Sequence, residues 1–223
     1  SQSLELIERL QKQMPELKIA VGGPEVSFEK EGSLPFPVIS GEGENKWVEF
    51  LELTRKNEKP SDEALKRWRT YGTDLPELIP AYLEEDFPEL KNRIVYFETS
   101  RGCPYLCSFC LSALDKTVRY FDESLIQNQI KELIANGIQK IKFADRTFNL
   151  KPKRMKELME WLSQFKGKEF HFEVVGDILT PEILNFLKTV PPGMFQFEIG
   201  IQTTTESVQE TIQRKQSNQK LFE

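Results

Sequence analysis

All three cysteines of this chain fall in one short stretch, Arg101-Gly102-Cys103-Pro104-Tyr105-Leu106-Cys107-Ser108-Phe109-Cys110. The spacing is Cys-x-x-x-Cys-x-x-Cys, and no fourth cysteine exists. Three clustered thiolates can ligate three irons of a cubane cluster and leave the fourth iron open to a substrate. A fully ligated electron-transfer cluster offers no such position. A disulfide framework is disfavoured by the odd count, the chain length and the lack of a secretory layout at the amino end. Structural zinc wants four protein ligands, and the sole histidine, His171, stands far along the chain in the strand-like run Phe170-His171-Phe172-Glu173. Zinc therefore stays as the alternative to iron and sulfur. Gly102 permits a tight backbone approach, and Pro104 restricts the chain between the first two thiols.

Those thiols need a frame, and the sequence from residue 93 onward supplies a repeating one. Val95–Glu98 reads as a strand that delivers the cysteine loop. Asp122 or Ser124 can cap a helix whose Leu125, Ile126, Ile130, Leu133 and Ile134 share one face, and Gly137 can end it. Lys140–Ala144 is a second strand, followed by a helix opened by Pro152 and lined by Met155, Leu158, Met159 and Leu162. Phe170–Val174 is a third strand, with Thr180-Pro181 opening the next helix. Phe195–Ile199 is a fourth, and a polar helix follows near Thr205. Consecutive strand–helix units imply a parallel sheet with right-handed crossovers, in a barrel or an open α/β sheet. The polar residues just after the strands then gather at one rim: the cysteine loop, Asp145-Arg146-Thr147, Gly176-Asp177 and Gln202-Thr203.

The first third differs. Leu4, Ile7, Leu10 and Met14 suggest an amphipathic helix, and Leu17–Val21 a buried strand ending in Gly22-Gly23-Pro24-Glu25. Val38-Ile39-Ser40 reads as another strand, ending in Gly41-Glu42-Gly43-Glu44 before a helix bearing Trp47, Val48, Phe50 and Leu51. Two such turns suggest the end of a doubly wound domain, where glycines let backbone approach a ligand. Between the parts, Lys56–Asn92 carries Pro60, Pro76, Pro80 and Pro88 and reads as a connector with a short helix over Asp62–Trp68. Its aromatic residues Trp68, Tyr71, Tyr82 and Phe87 are expected to pack against the barrel.

Composition narrows the partners. With 35 acidic and 30 basic residues the formal charge is −5, which argues against a general nucleic-acid footprint. The cluster Lys151, Lys153, Arg154 and Lys156 reads as a solvated helical face. No apolar run reaches the length of a membrane span, and reduced thiols suit the cytoplasm.

The cysteine motif, with an aromatic residue directly before its third cysteine, resembles that of the radical S-adenosylmethionine (SAM) superfamily. The phrase Glu98-Thr99-Ser100-Arg101-Gly102-Cys103-Pro104-Tyr105 resembles the subgroup that carries a cobalamin-binding domain ahead of the radical domain. The resemblance implies that Cys103, Cys107 and Cys110 ligate a [4Fe-4S] cluster whose fourth iron chelates SAM, with Phe109 near the adenine. It implies reductive cleavage of SAM to a 5′-deoxyadenosyl radical, with an electron donor such as flavodoxin or ferredoxin. Where the family often has Gly-Gly-Glu, this chain has Ala144-Asp145-Arg146, so Asp145 becomes the candidate for the methionine amine. Glu173 and Gln202 are candidates for the ribose or methionine moiety, and Arg214 matches an arginine that often follows in these families. Gly22, Gly23, Gly41 and Gly43 would lie along the nucleotide tail of cobalamin, although the cobalt-ligating Asp-x-His-x-x-Gly motif of that family has no counterpart here. In that subgroup cobalamin commonly relays a methyl group. The rival readings are a non-radical iron–sulfur or zinc module, and a tRNA-modifying methylthiotransferase relative.

The expected architecture is thus α/β: a partial (β/α) TIM-like barrel of radical SAM type with about four of its six units, preceded by the C-terminal part of a doubly wound cobalamin-binding-like domain. The expected divisions are 1–55 for that remnant, 56–92 for the connector and 93–223 for the partial barrel, with the chain a fragment of a longer product.

Overall fold

The structure, a computed structural model, describes residues 2–28, 34–70 and 80–222. The chain forms two compact units, Ser1–Pro76 and Glu77–Glu223.

In the first unit, α1 (Gln2–Gln13) buries none of its residues. The strand expected over 17–21 shortens to β1 (Val21–Gly22), which pairs in parallel with β2 (Val38–Ile39) through Val21↔Val38 and Gly22↔Ile39. Pro35 and Pro37 explain the shortening, because neither carries an N–H to extend the ladder backward. Helices α2 (Glu44–Arg55) and α3 (Asp62–Arg69) follow. Ser61 caps α3 by accepting from the Ala64 N–H at 3.2 Å. The core is small: Ile39, Phe50, Ala64 and Trp68, with the Phe50 and Trp68 rings edge to face at 6.1 Å. Trp68 was expected on the barrel, and this corrects that expectation. Helical spacing puts Ala64 and Trp68 on one face of α3, and that face meets Phe50. The Trp68 indole N–H donates to Glu49 at 2.6 Å, and Arg67 pairs with the same carboxylate. Tyr71 and Pro76 lie outside the described residues.

The second unit opens with the short α4 (Phe87–Leu90), which buries Phe87, and then β3 (Ile94–Phe97). A small antiparallel pair, β4 (Ser100–Arg101) and β5 (Arg119–Tyr120), brackets the cysteine loop. Then come α5 (Glu123–Ala135), β6 (Lys140–Phe143), α6 (Pro152–Leu162), β7 (Glu169–Val174), α7 (Pro181–Leu187), β8 (Phe195–Ile199), α8 (Glu206–Thr211) and α9 (Asn218–Phe222). Local signals set the boundaries: Asp122 accepts from Ser124 and Leu125 N–H groups, Thr180 accepts from Ile183 N–H, and Pro152 and Pro181 occupy first helical turns.

The main sheet has the order β3-β6-β7-β8, parallel throughout. Each strand is laid beside its predecessor in one direction, as in a barrel, whereas a doubly wound sheet reverses its direction. Alternation divides the sheet faces. Val95, Phe97, Ile141, Phe143, Phe170, Phe172 and Val174 are buried on one side, where Phe143 and Phe172 stack at 4.9 Å and Phe195 meets Phe186 of α7 at 6.5 Å. The other face carries charge: Lys142 lies 3.5 Å from Glu173 and 3.2 Å from Glu198, and His171 lies 3.4 Å from Glu198. The outer edge of β3 is occupied by a side chain. The Tyr82 hydroxyl accepts from the Tyr96 N–H at 2.8 Å and donates to the Tyr96 carbonyl at 3.1 Å. Among the described residues, no helix is long and apolar enough to cross a membrane.

Candidate metal centre and adjoining pocket

Beyond β3 the chain turns through Thr99 into β4 and enters the cysteine loop at Gly102, whose φ is +90°. A Cβ there would stand 2.2 Å from the Thr117 carbonyl oxygen, so only glycine lets the two limbs of the loop close. The Cys103 N–H donates to the Asp115 carbonyl at 2.9 Å, and Asp115 pairs with Arg119. Cys103 and Cys107 are buried and Cys110 is exposed. The loop is clasped from the far end of the unit. The Ser108 N–H donates to the Ile212 carbonyl at 3.0 Å, and Arg214 brings its guanidinium 3.8 Å from Cys107 Sγ and 2.5 Å from the Gly200 carbonyl. Gln213, at φ +54°, turns the chain so that Arg214 points back. The Nε of Arg214 is buried and has no acceptor.

All three cysteines line one pocket of about 210 Å³. Phe109, Arg146, Thr147, Glu173, Glu198, Gln202 and Arg214 share its walls. Four separate strand ends thus contribute to one cavity, as the strand-end placement implies. Gln202 is held at φ +66°, a strained backbone for a non-glycine residue, and its side chain lies over Gly200. Tyr105, stacked near Arg214, has its phenol pKa raised by burial and by the neighbouring Asp177 carboxylate. Among the described residues no three His, Cys, Asp or Glu side chains converge as ligands of a single ion. A cubane distributes three cysteines over three irons, and three thiols around one cavity suit that wider arrangement. The Arg214 guanidinium beside them, with its Nε still without an acceptor, suits a pocket that receives an anionic group.

Of the residues singled out in sequence, Cys103, Cys107, Cys110, Phe109, Glu173, Gln202 and Arg214 come together here. Asp145 does not, and this corrects its expected contact with a bound amine. Its side chain is fully buried, and both oxygens are taken: one accepts from the Thr99 N–H at 2.8 Å, the other from the Thr99 and Ser100 hydroxyls at 2.6 Å each. Burial raises its pKa, and those hydrogen bonds oppose the rise. The reading of the basic cluster after β6 is corrected at Arg154, while Lys153 is solvated as expected. Arg154 is not a solvated residue; it pairs with Glu123 at 3.3 Å, reaches the Thr99 hydroxyl at 3.3 Å and lies over the Tyr120 ring, which Lys151 also covers at 4.0 Å.

The four glycines named for cobalamin belong to the first unit. Gly23 and Gly41 have positive φ, +101° and +67°, directly after β1 and β2, while Gly43 caps α2. Gly22 faces the Ile39 carbonyl so closely that a Cβ would stand 3.1 Å from it.

Sequence reasoning placed Thr147 at this rim without a role, and its hydroxyl lies 3.6 Å from Cys103 Sγ; it missed the Ser108–Ile212 clasp. Thr147 sits two residues beyond a strand-end acid, which was a usable signal. The clasp joins backbone to backbone and leaves no trace in residue type.

A strand-ordered parallel sheet with a three-cysteine loop after its first strand defines an α/β domain with a candidate metal centre. Comparison makes this specific: the Radical SAM superfamily model matches residues 97–223, more than half of the chain, and the chain belongs to that superfamily. It is similar to the cobalamin-dependent radical SAM methyltransferase TokK of Streptomyces tokunonensis, 26% identical over 196 residues, covering 74% of this chain and 28% of that protein. It is also similar to the uncharacterized methyltransferase PH0819 of Pyrococcus horikoshii, 30% identical over 162 residues, covering 61% of this chain and 35% of that protein. Among solved structures, the radical SAM methyltransferase TsrM from Kitasatospora setae, with tryptophan and a SAM analog bound, superposes with a TM-score of 0.64 at 14% identity. That match covers 96% of this chain and 47% of TsrM, and a second TsrM structure, with cobalamin and a [4Fe-4S] cluster bound, gives 0.61 at 13%. These structures bear out the fold, an α/β chain with a partial TIM-like barrel. The chain spans about a third or less of the length of the curated relatives.

Proposed function

We propose that Cys103, Cys107 and Cys110 hold a [4Fe-4S] cluster and that SAM binds beside it in the pocket lined by Phe109, Glu173, Gln202 and Arg214. The reading is carried by one observation, the convergence of three thiols and four strand-end loops on a single cavity. Bound there and reduced, such a cluster would supply the one electron that cleaves the sulfonium C–S bond of SAM to methionine and a 5′-deoxyadenosyl radical. The chain's own residues bind and orient. The acceptor-less Nε of Arg214 is placed to donate to the methionine carboxylate. Glu173, on the charged sheet face, and Gln202 offer acceptors to the amine and ribose hydroxyls. Phe109, exposed beside the third cysteine, offers an apolar wall to the adenine.

For the full-length protein we infer methyl transfer with cobalamin, supported by the similarity to the cobalamin-dependent methyltransferase TokK. Gly22, Gly23, Gly41 and Gly43 would leave room for the cofactor's nucleotide tail, and a flavodoxin- or ferredoxin-like protein would supply electrons. Anaerobic reconstitution of the full-length protein tests the reading. Roughly four irons per chain and dithionite-dependent 5′-deoxyadenosine are expected. A protein that binds only zinc, or that leaves SAM intact when reduced, overturns it.

A further inference from the structure

Asp145 is a fully buried carboxylate for which the proposed chemistry has no use. The hydrogen bonds it accepts come from the base of the cysteine loop. Thr99 and Ser100, which together give it three donors, are the residues through which the chain leaves β3 and enters that loop. The charge is balanced from the same side, where Arg154 donates to the Thr99 hydroxyl at 3.3 Å. Arg154 in turn lies over Tyr120, and Tyr120 pairs with Ser100 across β4 and β5. The entry limb is thereby tied to the end of β6, and the exit limb follows it through the β4–β5 ladder and Arg154 of α6. Two residues after Asp145, Thr147 meets Cys103 Sγ.

We propose that Asp145 is a positioning residue, which anchors the entry limb of the cysteine loop to the end of β6, and through the β4–β5 ladder its exit limb, and so holds Cys103 and Cys107 in register with the pocket. Carboxylate hydrogen bonds among buried groups are worth more than neutral ones, and severing them leaves buried donors unsatisfied. A general packing role would instead affect the stability of the whole unit without selecting the thiols. The cluster-dependent part of the inference rests on the reading of the site given above; the loop geometry does not.

Asp145→Asn keeps the shape and removes the charge, and Thr99→Val removes one donor while keeping the volume. Two readouts are taken on the full-length protein at a temperature where circular dichroism shows each variant folded. In the metal-free protein, labelling of the buried Cys103 and Cys107 by a thiol reagent is expected to quicken by about tenfold in Asp145→Asn, with Cys110 unchanged. In the reconstituted protein, iron loss to a chelator should quicken similarly, and Thr99→Ser should behave as the parent. Thr99→Val is expected to shift both rates in the same direction by less, and it decides the matter alone if Asp145→Asn fails to fold. Parent-like labelling of Cys103 and Cys107 in the folded variants overturns the proposal. If the parent itself assembles no cluster, the reading of the site fails, and the labelling rates still decide the role of Asp145.

Discussion

The two units close their parallel strands differently. After β1 and β2 of the first unit the chain turns on glycines: Gly23 and Gly41 have positive φ, and Gly43 caps α2. After β3, β6, β7 and β8 of the second unit it presents side chains, and thiols, a guanidinium, carboxylates and an amide meet around one pocket. A turn made of glycine is compatible with a cofactor and equally with a plain bend, whereas three thiols in eight residues restrict the chemistry at once. Function is therefore read with more certainty from the unit that spends side chains than from the one that spends conformational freedom.

Four experiments break or sharpen that contrast. The largest effect belongs to the thiols: Cys103→Ser, Cys107→Ser or Cys110→Ser is expected to abolish stable cluster loading, measured as iron and sulfide per chain. Next comes a matched pair of glycines. Gly102→Ala places a Cβ 2.2 Å from the Thr117 carbonyl at φ +90° and should reduce iron retention by at least about tenfold, by strain together with overlap. Gly23→Ala has a similar φ, +101°, but meets nothing within 4 Å, so only the conformational cost of about 1–2 kcal/mol applies. If Gly23→Ala also abolishes cobalamin binding in the full-length protein, the backbone at that turn is a ligand surface and the contrast narrows.

In the cores, Phe172→Ala should cost about 3–5 kcal/mol, read from denaturant unfolding, because Phe172 is fully buried and stacked on Phe143. Trp68→Phe keeps most of the first unit's packing and loses the hydrogen bond to Glu49, for about 1–3 kcal/mol. The smallest effect is a pH dependence. The Trp68 hydrogen bond and the Arg67 pairing lower the Glu49 pKa below its ordinary 4.5. A lowered carboxylate pKa stabilises the fold above the unfolded value, and that contribution disappears as pH falls through the folded value. Tryptophan fluorescence of the parent should show that loss below about pH 4.5, and Glu49→Gln should remove it.

Much of the second unit was legible because its signals are local. Pro152, Thr180-Pro181 and Asp122 mark helix starts by chemistry that needs no tertiary partner, and the period-two apolar runs mark the four strands. The site was legible where side-chain type restricts chemistry, as at the cysteines, or where a strand end delivers a polar group, as at Glu173 and Gln202. Asp145 was misread because sequence gives position along a strand but not the direction of a side chain at its end. There the carboxylate turned toward Thr99 and Ser100, whose three donors outweighed exposure to the cavity. Trp68 was misplaced for a related reason: a connector's composition does not say which neighbour its aromatic face will meet.

The tyrosine on the edge of β3 has a consequence for growth of the sheet. By satisfying both the N–H and the carbonyl of Tyr96, Tyr82 removes the template that a stray strand would need on that side. Strand addition beside Tyr96 is thereby blocked. Tyr82→Phe would restore the missing template, and concentration-dependent self-association through β3 is the behaviour that the hydroxyl holds in check.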